Sequence, residues 1–263
     1  MINYPVTVVL AGTSEGRKLI RALQDRGYPV IGSVSTQYGA RLLLRDGISH
    51  FVQGSLDHDG LKRLIEENKA QLMIDATHPF ALTISRQAME VCKENDILYL
   101  RLEREGGKLP VNPWIKTIRR LEEGEQFIKP KMRVFSTLGT KSLPVLAEMV
   151  NRQQGELIAR VLPASDVIKR CEQLGLLPDQ IVAIKGPFTA DLNRAIFKMY
   201  KADLIITKES GDAGGVNAKI QAAIELGIPI VVWLKPQVEY PVMFNSVPEI
   251  IKYMENIQGG YHY

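Results

Sequence analysis

Thr7-Val8-Val9-Leu10-Ala11-Gly12-Thr13-Ser14-Glu15-Gly16-Arg17 decides the fold, because the hydrophobic periodicity changes inside it. Up to Gly12 the run is almost wholly apolar, as a strand buried on both faces of a parallel sheet must be. Gly12 permits a tight turn and a close backbone approach. From Glu15 to Arg26 the apolar residues Leu19, Ile20 and Leu23 recur at helical spacing, and Gly27 supplies the stop. Strand, glycine turn and helix together form the opening βα unit of an α/β fold.

The same alternation continues outward. Apolar, β-rich runs occur at Val30–Val34, His50–Gly54, Leu72–Thr77 and Leu98–Leu102. Within Leu82–Asn95, the residues Ile84, Ala88, Val91 and Cys92 keep helical spacing. The stretch Arg104 to Pro113 is polar and rich in Gly and Pro, which reads as a linker. A second α/β run follows, with strands near Trp114–Ile118, Arg133–Leu138, Leu157–Leu162, Ile181–Lys185, Leu204–Thr207 and Ile228–Leu234. Helices are expected at Lys141–Arg152, Ser165–Leu174, Ala190–Tyr200, Ala213–Leu226 and about Pro248–Asn256, with Gly259 to Tyr263 as a loose tail. The expected fold is therefore α/β: two tandem Rossmann-like, doubly wound parallel-sheet domains with a cleft between them. Their expected spans are 1–105 and 112–258, with the last helix free to dock on either.

Composition narrows the function. At 45% apolar and 24% charged, the 263 residues are ordinary for a globular chain. No apolar run approaches the ~20 residues of a membrane span. Met1 to Pro5 has no basic region followed by an apolar core, and Cys92 and Cys171 are too few and too far apart for a disulfide framework. A cytoplasmic chain with reduced thiols is the expectation, and a monomer is assumed. The net charge of +4 is too small and scattered for nucleic acid but suits an acidic small molecule. The four histidines show no metal-ligand spacing, and Asp57-His58-Asp59 reads as an exposed turn before a helix, so no metal is expected.

Five stretches carry chemistry. Gly12, Thr13, Ser14 and Glu15 open the first helix, whose free N–H groups and partial positive charge favour phosphate. The same residues would also serve an ordinary capped turn, and with Gly12 and Gly16 alone the stretch is not the GxGxxG fingerprint. After the second strand no carboxylate occurs from Val30 to Leu44; Ser35, Thr36 and Arg41 stand there instead. A ribose 2′-phosphate is welcomed by such a set, so NADP is favoured over NAD; a polar loop with a solvated Arg is the plainer alternative. Asp75-Ala76-Thr77-His78-Pro79 follows the fourth strand, at the carboxyl edge where open α/β sheets bind ligands. Lys185-Gly186-Pro187 and Thr207-Lys208-Glu209-Ser210-Gly211 end strands in the second half, followed by Gly214, Gly215 and Lys219. A cation closing an apolar strand either meets an anion or pairs across the sheet. Arg160 and Lys141 stand at similar strand ends, so the second half suits a polyanionic ligand.

Taken in order, these motifs resemble the precorrin-6A and cobalt-precorrin-6A reductases of corrin biosynthesis. The resemblance rests on Gly12-Thr13-Ser14-Glu15-Gly16-Arg17, Asp75 to Ala81, Leu100 to Arg104, Ala159 to Pro163, Lys185 to Phe188, and Thr207 to Gly211 with Gly214, Gly215 and Lys219. One departure is Gly16, where that family often carries Ala; it softens the helix start. The resemblance implies an NAD(P)H-dependent oxidoreductase that delivers a hydride to a C=C bond of a tetrapyrrole-derived polycarboxylate, with NADPH expected and NADH as the alternative. It implies a first domain for the dinucleotide (Gly12, Thr13, Ser14, Glu15, Ser35, Thr36, Arg41, Asp75, Thr77, His78, Pro79). It implies a second domain for the substrate (Lys185, Gly186, Lys208, Ser210, Gly214, Gly215, Lys219), with Lys185 and Lys208 at adjacent strand ends. Lys208 and His78 are the residues expected nearest the chemistry. Two rivals stand beside this reading: another two-Rossmann enzyme such as a nucleotide-sugar transferase, and a ligand-binding module without catalysis.

Overall fold

A computed structural model describes residues 4–104, 106–107, 109–210 and 214–259. The chain divides into two compact units, residues 1–105 with 237–263, and residues 106–236. The sequence boundary near residue 105 coincides with the first crossing between units. Residues 237–247, expected within the second domain, group with the first, and so does the last helix, which the sequence left free to dock on either.

Unit 1 is a parallel sheet of β1 (Thr7–Leu10), β2 (Val30–Val34), β3 (Phe51–Gln53), β4 (Leu72–Asp75), β5 (Leu98–Leu102) and the chain's last strand, β12 (Met243–Phe244). The order across it is β12-β5-β4-β1-β2-β3. Every residue of β1, β2 and β4 is buried, which explains why these strands read as unbroken apolar runs. Its helices are α1 (Ser14–Gln24), α2 (Gln37–Arg45), α3 (His58–Asn68), α4 (Leu82–Glu94) and α9 (Val247–Gly259). Helix α2 corrects the loop expected after β2. The Thr36 side chain caps it by accepting from Gly39 N at 3.0 Å, and its consecutive Leu42, Leu43 and Leu44 hide the helical period.

Unit 2 repeats the plan with β6 (Ile115–Ile118), β7 (Arg133–Ser136), β8 (Glu156–Val161), β9 (Ile181–Ala183), β10 (Leu204–Lys208) and β11 (Ile230–Trp233), ordered β6-β11-β10-β7-β8-β9. Its α-helices are α5 (Leu143–Arg152), α6 (Ser165–Gln173), α7 (Ala190–Met199) and α8 (Val216–Leu226). The expected start of α8 at Ala213, and the tail from residue 260, lie outside the described residues. Among those described, no helix is long and apolar enough to cross a membrane.

Both sheets reverse direction once. In unit 1 the chain builds β1, β2 and β3 outward one way, then returns to place β4 and β5 on the other side of β1. In unit 2, β7, β8 and β9 run one way while β10 and β11 lie beyond β7. The helices after β1 and β4, and those after β7 and β10, therefore pack in different core layers. Ligands enter doubly wound sheets at such reversals.

The return of the C-terminus has a physical cause. Arg101 N donates to Val242 O at 2.8 Å and Glu103 N to Phe244 O at 3.0 Å, so β12 pairs the open edge of β5. Ile250, Ile251 and Met254 of α9 then bury against Leu19, Ile20 and Leu23 of α1. Ile250→Ala and Met254→Ala should each cost about 2–5 kcal/mol by leaving a cavity in this layer. Urea unfolding measures this, and wild-type stability in both variants would contradict the docking of α9 on unit 1.

Candidate functional site

In unit 1 the turn after β1 lies against the turn after β4. A Cβ added to Gly12 would sit 3.2 Å from the Thr77 Cα, so backbone meets backbone there. Thr13, extended at φ −129°, caps α1 by accepting from Gly16 N at 3.2 Å, and its hydroxyl donates to Ala76 O at 2.8 Å. One side chain thus starts the helix and ties the two turns together. The Ser14 and Glu15 N–H groups are in the first turn and have no intrahelical partner. Gly16 does more than soften the helix start. Its Cβ would fall 2.9 Å from the Ala11 Cα, so a glycine lets α1 lie close on β1.

Two expected cofactor contacts take different roles. The Glu15 carboxylate accepts from Ser14 Oγ at 2.8 Å and pairs with Arg104 and with Lys18 at 3.6 Å, so its charge is neutralised within the unit. Asp75 is fully buried. It accepts from Thr77 N at 2.9 Å, Thr77 Oγ1 at 2.7 Å and Tyr99 Oη at 2.8 Å, and pairs with Arg101 at 2.8 Å. A carboxylate so saturated holds the Thr77–Pro79 turn in shape and has no face left for a ligand. Arg101, also fully buried, forms a second pair with Glu103 at 2.8 Å and lies 5.0 Å from the Tyr240 ring centre. Burial works to lower its pKa, but the Asp75 charge and the Glu103 bonds outweigh it and the pKa rises. Burial, and then the Asp75 charge, raise the Tyr99 phenol and push the Cys92 thiol up to about 12, which leaves that thiol inert.

Thr77, His78 and Pro79 are half-buried on this turn, and His78 Nδ1 accepts from Phe80 N at 3.3 Å. Ser35 and Thr36 are exposed at the start of α2, with Arg41 exposed one turn on. The turn after β2 therefore presents hydroxyls, a helix N-terminus and a cation.

In unit 2 a cavity of about 300 Å³ opens at the carboxyl ends of β7, β8 and β9 and the start of α8. Arg160, near the end of β8, is buried and lines it. Its Nη1 donates to Asn193 Oδ1 at 2.7 Å, and its guanidinium lies 4.8 Å from the Phe188 ring centre. Asn193 is itself fixed, its Nδ2 donating to Thr189 O at 2.8 Å. Burial lowers the Arg160 pKa to about 10. Lys219, on α8 and 6% exposed, lines the same space. Burial, then the Arg160 and Lys208 charges, depress its pKa to about 7. Lys208 ends β10 with Nζ 5.9 Å from the Trp233 ring, its pKa lowered by burial and then by Lys141.

The glycines shape this wall. A Cβ on Gly214 would fall 2.0 Å from Ser210 Oγ, and Gly215 adopts φ +66°. Gly186 also lines the cavity. Gly211, Asp212 and Ala213 lie outside the described residues. Lys185 departs from expectation. It is exposed beyond the edge strand β9, and β7 and β8 separate β9 from β10, so Lys185 and Lys208 do not end adjacent strands. The cations that converge are Arg160, Lys219 and Lys208. Arg160 stands in the sequence as a cationic strand end suited to a polyanion, without an assigned role; Asn193, and Arg101, Tyr99 and Glu103 of unit 1, carry no such mark in the sequence. Among the described residues, no cluster of three His, Cys, Asp or Glu side chains could hold a metal ion.

Comparisons with known proteins converge on one family. The family model described as precorrin-6x reductase CbiJ/CobK matches residues 7–255. A cobalt-precorrin-6A reductase from Methanocaldococcus jannaschii is 35% identical, covering 95% of this chain and 98% of the relative. One from Priestia megaterium is 33% identical over the same shares, 95% and 98%. A precorrin-6A reductase from Rhodococcus erythropolis is 29% identical over 87% of this chain and 88% of its own. The solved structure of a CobK precorrin-6A reductase superposes with TM-score 0.77 at 21% identity, over 97% of both chains, which shows the shared fold.

The buried charges of unit 1 make a direct test. Arg101→Met leaves Asp75 and Glu103 without their common cation and should cost about 3–5 kcal/mol. Chemical denaturation measures it. A loss below 1 kcal/mol would show that Asp75 is held by something other than this pair.

Proposed function

We infer the function from a plain premise: the chain belongs to the precorrin-6x reductase CbiJ/CobK family. It is an oxidoreductase that acts on a CH–CH group of a precorrin-6A-type corrin precursor in cobalamin biosynthesis. The finer reading is that unit 1 holds NADPH and unit 2 holds the acidic arms of the macrocycle.

The observation that supports the cofactor half is the glycine turn at the strand-order reversal. Backbone packs on the inner side of Gly12, and the first-turn N–H groups of α1 stand beside it. These residues fit a pyrophosphate: Gly12, Thr13 and Ser14 supply a turn without a side chain in the way, and the helix dipole favours the charge. Ser35, Thr36 and Arg41 suit a 2′-phosphate, since no carboxylate stands from Val30 to Leu44 to repel it. Thr77, His78 and Pro79 border the same gap and would orient the reactive ring. A reduced nicotinamide, when bound, supplies a hydride to one carbon of a C=C bond while its neighbour takes a proton.

The remaining work falls to charge and positioning. Lys208, Lys219 and the backbone around Gly186, Ser210, Gly214 and Gly215 hold carboxylates, and Lys185 adds an exposed charge. The depressed pKa of Lys208 brings its ammonium nearer to a proton donor's working range, with arm binding as its main role.

Anaerobic incubation with metal-free and cobalt-containing precorrin-6A tests this reading. NADPH absorbance should fall only when a macrocycle is present, and faster at low cofactor concentration than NADH absorbance. No oxidation with either macrocycle would overturn the assignment, and equal use of NADH would overturn the role given to Ser35, Thr36 and Arg41. Gly12→Val isolates the turn. A branched side chain there strikes the Thr77–His78 backbone; by pushing the two turns apart it should abolish NADPH binding, read by fluorescence, while circular dichroism keeps the native helix and strand content. Normal binding by the folded variant would place the cofactor elsewhere.

A further inference from the structure

The cavity of unit 2 combines features that a structural cluster does not need. Arg160 and Lys219 are 8% and 6% exposed, and both line it. Arg160 has one polar contact on Nη1, to Asn193, and its plane is held against Phe188. Among the described residues, neither Arg160 nor Lys219 forms an ion pair. This contrasts with Arg101 of unit 1, which is no less buried yet carries two carboxylates. Two buried basic groups with no counter-charge among the described residues lower stability when both are charged, so their pairing around one cavity points to an anion that joins them from outside.

The rest of the wall says what kind of anion. Leu138, Val161, Leu162 and Pro187 line the same cavity with apolar surface. A volume of about 300 Å³ equals roughly ten water molecules. That is at the lower limit for drug-sized ligands and too small for a polycarboxylate macrocycle. It suits a short chain of methylenes that ends in a carboxylate.

We propose that this cavity is a subsite for a single carboxylate arm of the substrate, with Arg160 and Lys219 as its charged ligands and Asn193 as the residue that positions Arg160. The arm enters along the apolar sides, and its carboxylate takes the remaining guanidinium donors and the Lys219 ammonium. A guanidinium fixed in plane by Asn193 and Phe188 is preorganised for a planar carboxylate, which a lysine in its place would not match. The identity of the anion rests on the reductase reading above; the anion site does not.

Glutarate serves as the probe, with inorganic phosphate as an anion lacking methylenes. In thermal unfolding of the full chain, glutarate should raise the melting temperature of the wild type more than phosphate does. Arg160→Gln and Lys219→Met should abolish that rise. Lys219→Met alone, by removing a buried cation, should melt higher than wild type without ligand, so loss of its glutarate effect is not a folding defect. In turnover, both variants should raise KM for the macrocycle roughly 10- to 100-fold, the range of one lost charged hydrogen bond, with a smaller effect on kcat. Asn193→Ala should raise KM less than Arg160→Gln. Undiminished glutarate protection in both charge variants, with wild-type KM, overturns the proposal. So does phosphate protecting better than glutarate, which would make the cavity a phosphate site. If glutarate protects the wild type alone while the wild type never reduces the macrocycle, the anion site stands and the reductase reading falls.

Discussion

The reversal of strand order in each sheet is the constraint on which both sites depend. A parallel sheet built by right-handed crossovers in one direction would cover its carboxyl edge with successive turns. Because β4 returns beside β1, and β10 beside β7, neighbouring turns leave toward opposite faces and open a gap. In unit 1 the gap is stitched at its base by Thr13, whose hydroxyl reaches Ala76 O across 2.8 Å. In unit 2 the equivalent stitch is Thr137 Oγ1 to Thr207 Oγ1, also 2.8 Å. Each ties two neighbouring strand ends together while the helices that follow them pack in different core layers.

Charge is used oppositely in the two units. Unit 1 buries Asp75, Arg101 and Glu103 as a closed set, in which each charge faces another. Such a set adds little net stability, because desolvation offsets most of the attraction. What it does is fix geometry: Asp75 receives both the N–H and the hydroxyl of Thr77 and so sets the turn that carries His78. Unit 2 buries Arg160 and Lys219 without an ion-pair partner among the described residues; burial lowers both pKa values, and at Lys219 the Arg160 and Lys208 charges add to it. Saturated charges shape a site, and unsaturated charges wait for a ligand.

Much of this was legible in the sequence. The buried strands β1, β2 and β4 announced themselves as apolar runs, and Gly12 and Gly214 marked places where a side chain would strike its neighbour. What escaped has physical reasons. Met243–Phe244 is a strand of two residues, too short for any period, yet it carries α9 back to unit 1. Helix α2 hid its face in consecutive leucines. Asp75 read as a ligand because it ends a strand at the right edge, and only the fold brings Tyr99 and Arg101, 24 and 26 residues away, onto its carboxylate. Lys185 and Lys208 looked equivalent as strand ends, but neighbours in a list of strands are not neighbours in a doubly wound sheet.

The central claim is a division of labour: a dinucleotide on the glycine turn of unit 1 and acidic arms in the cavity of unit 2. Hydrogen exchange followed by mass spectrometry, with and without NADPH, tests it most directly, since it reads each turn separately. NADPH should protect the amides of residues 11–17, 35–41 and 76–80 and leave 137–141, 185–190 and 214–220 unchanged. Protection confined to the second set, with the Gly12 turn exchanging as freely as before, would contradict it.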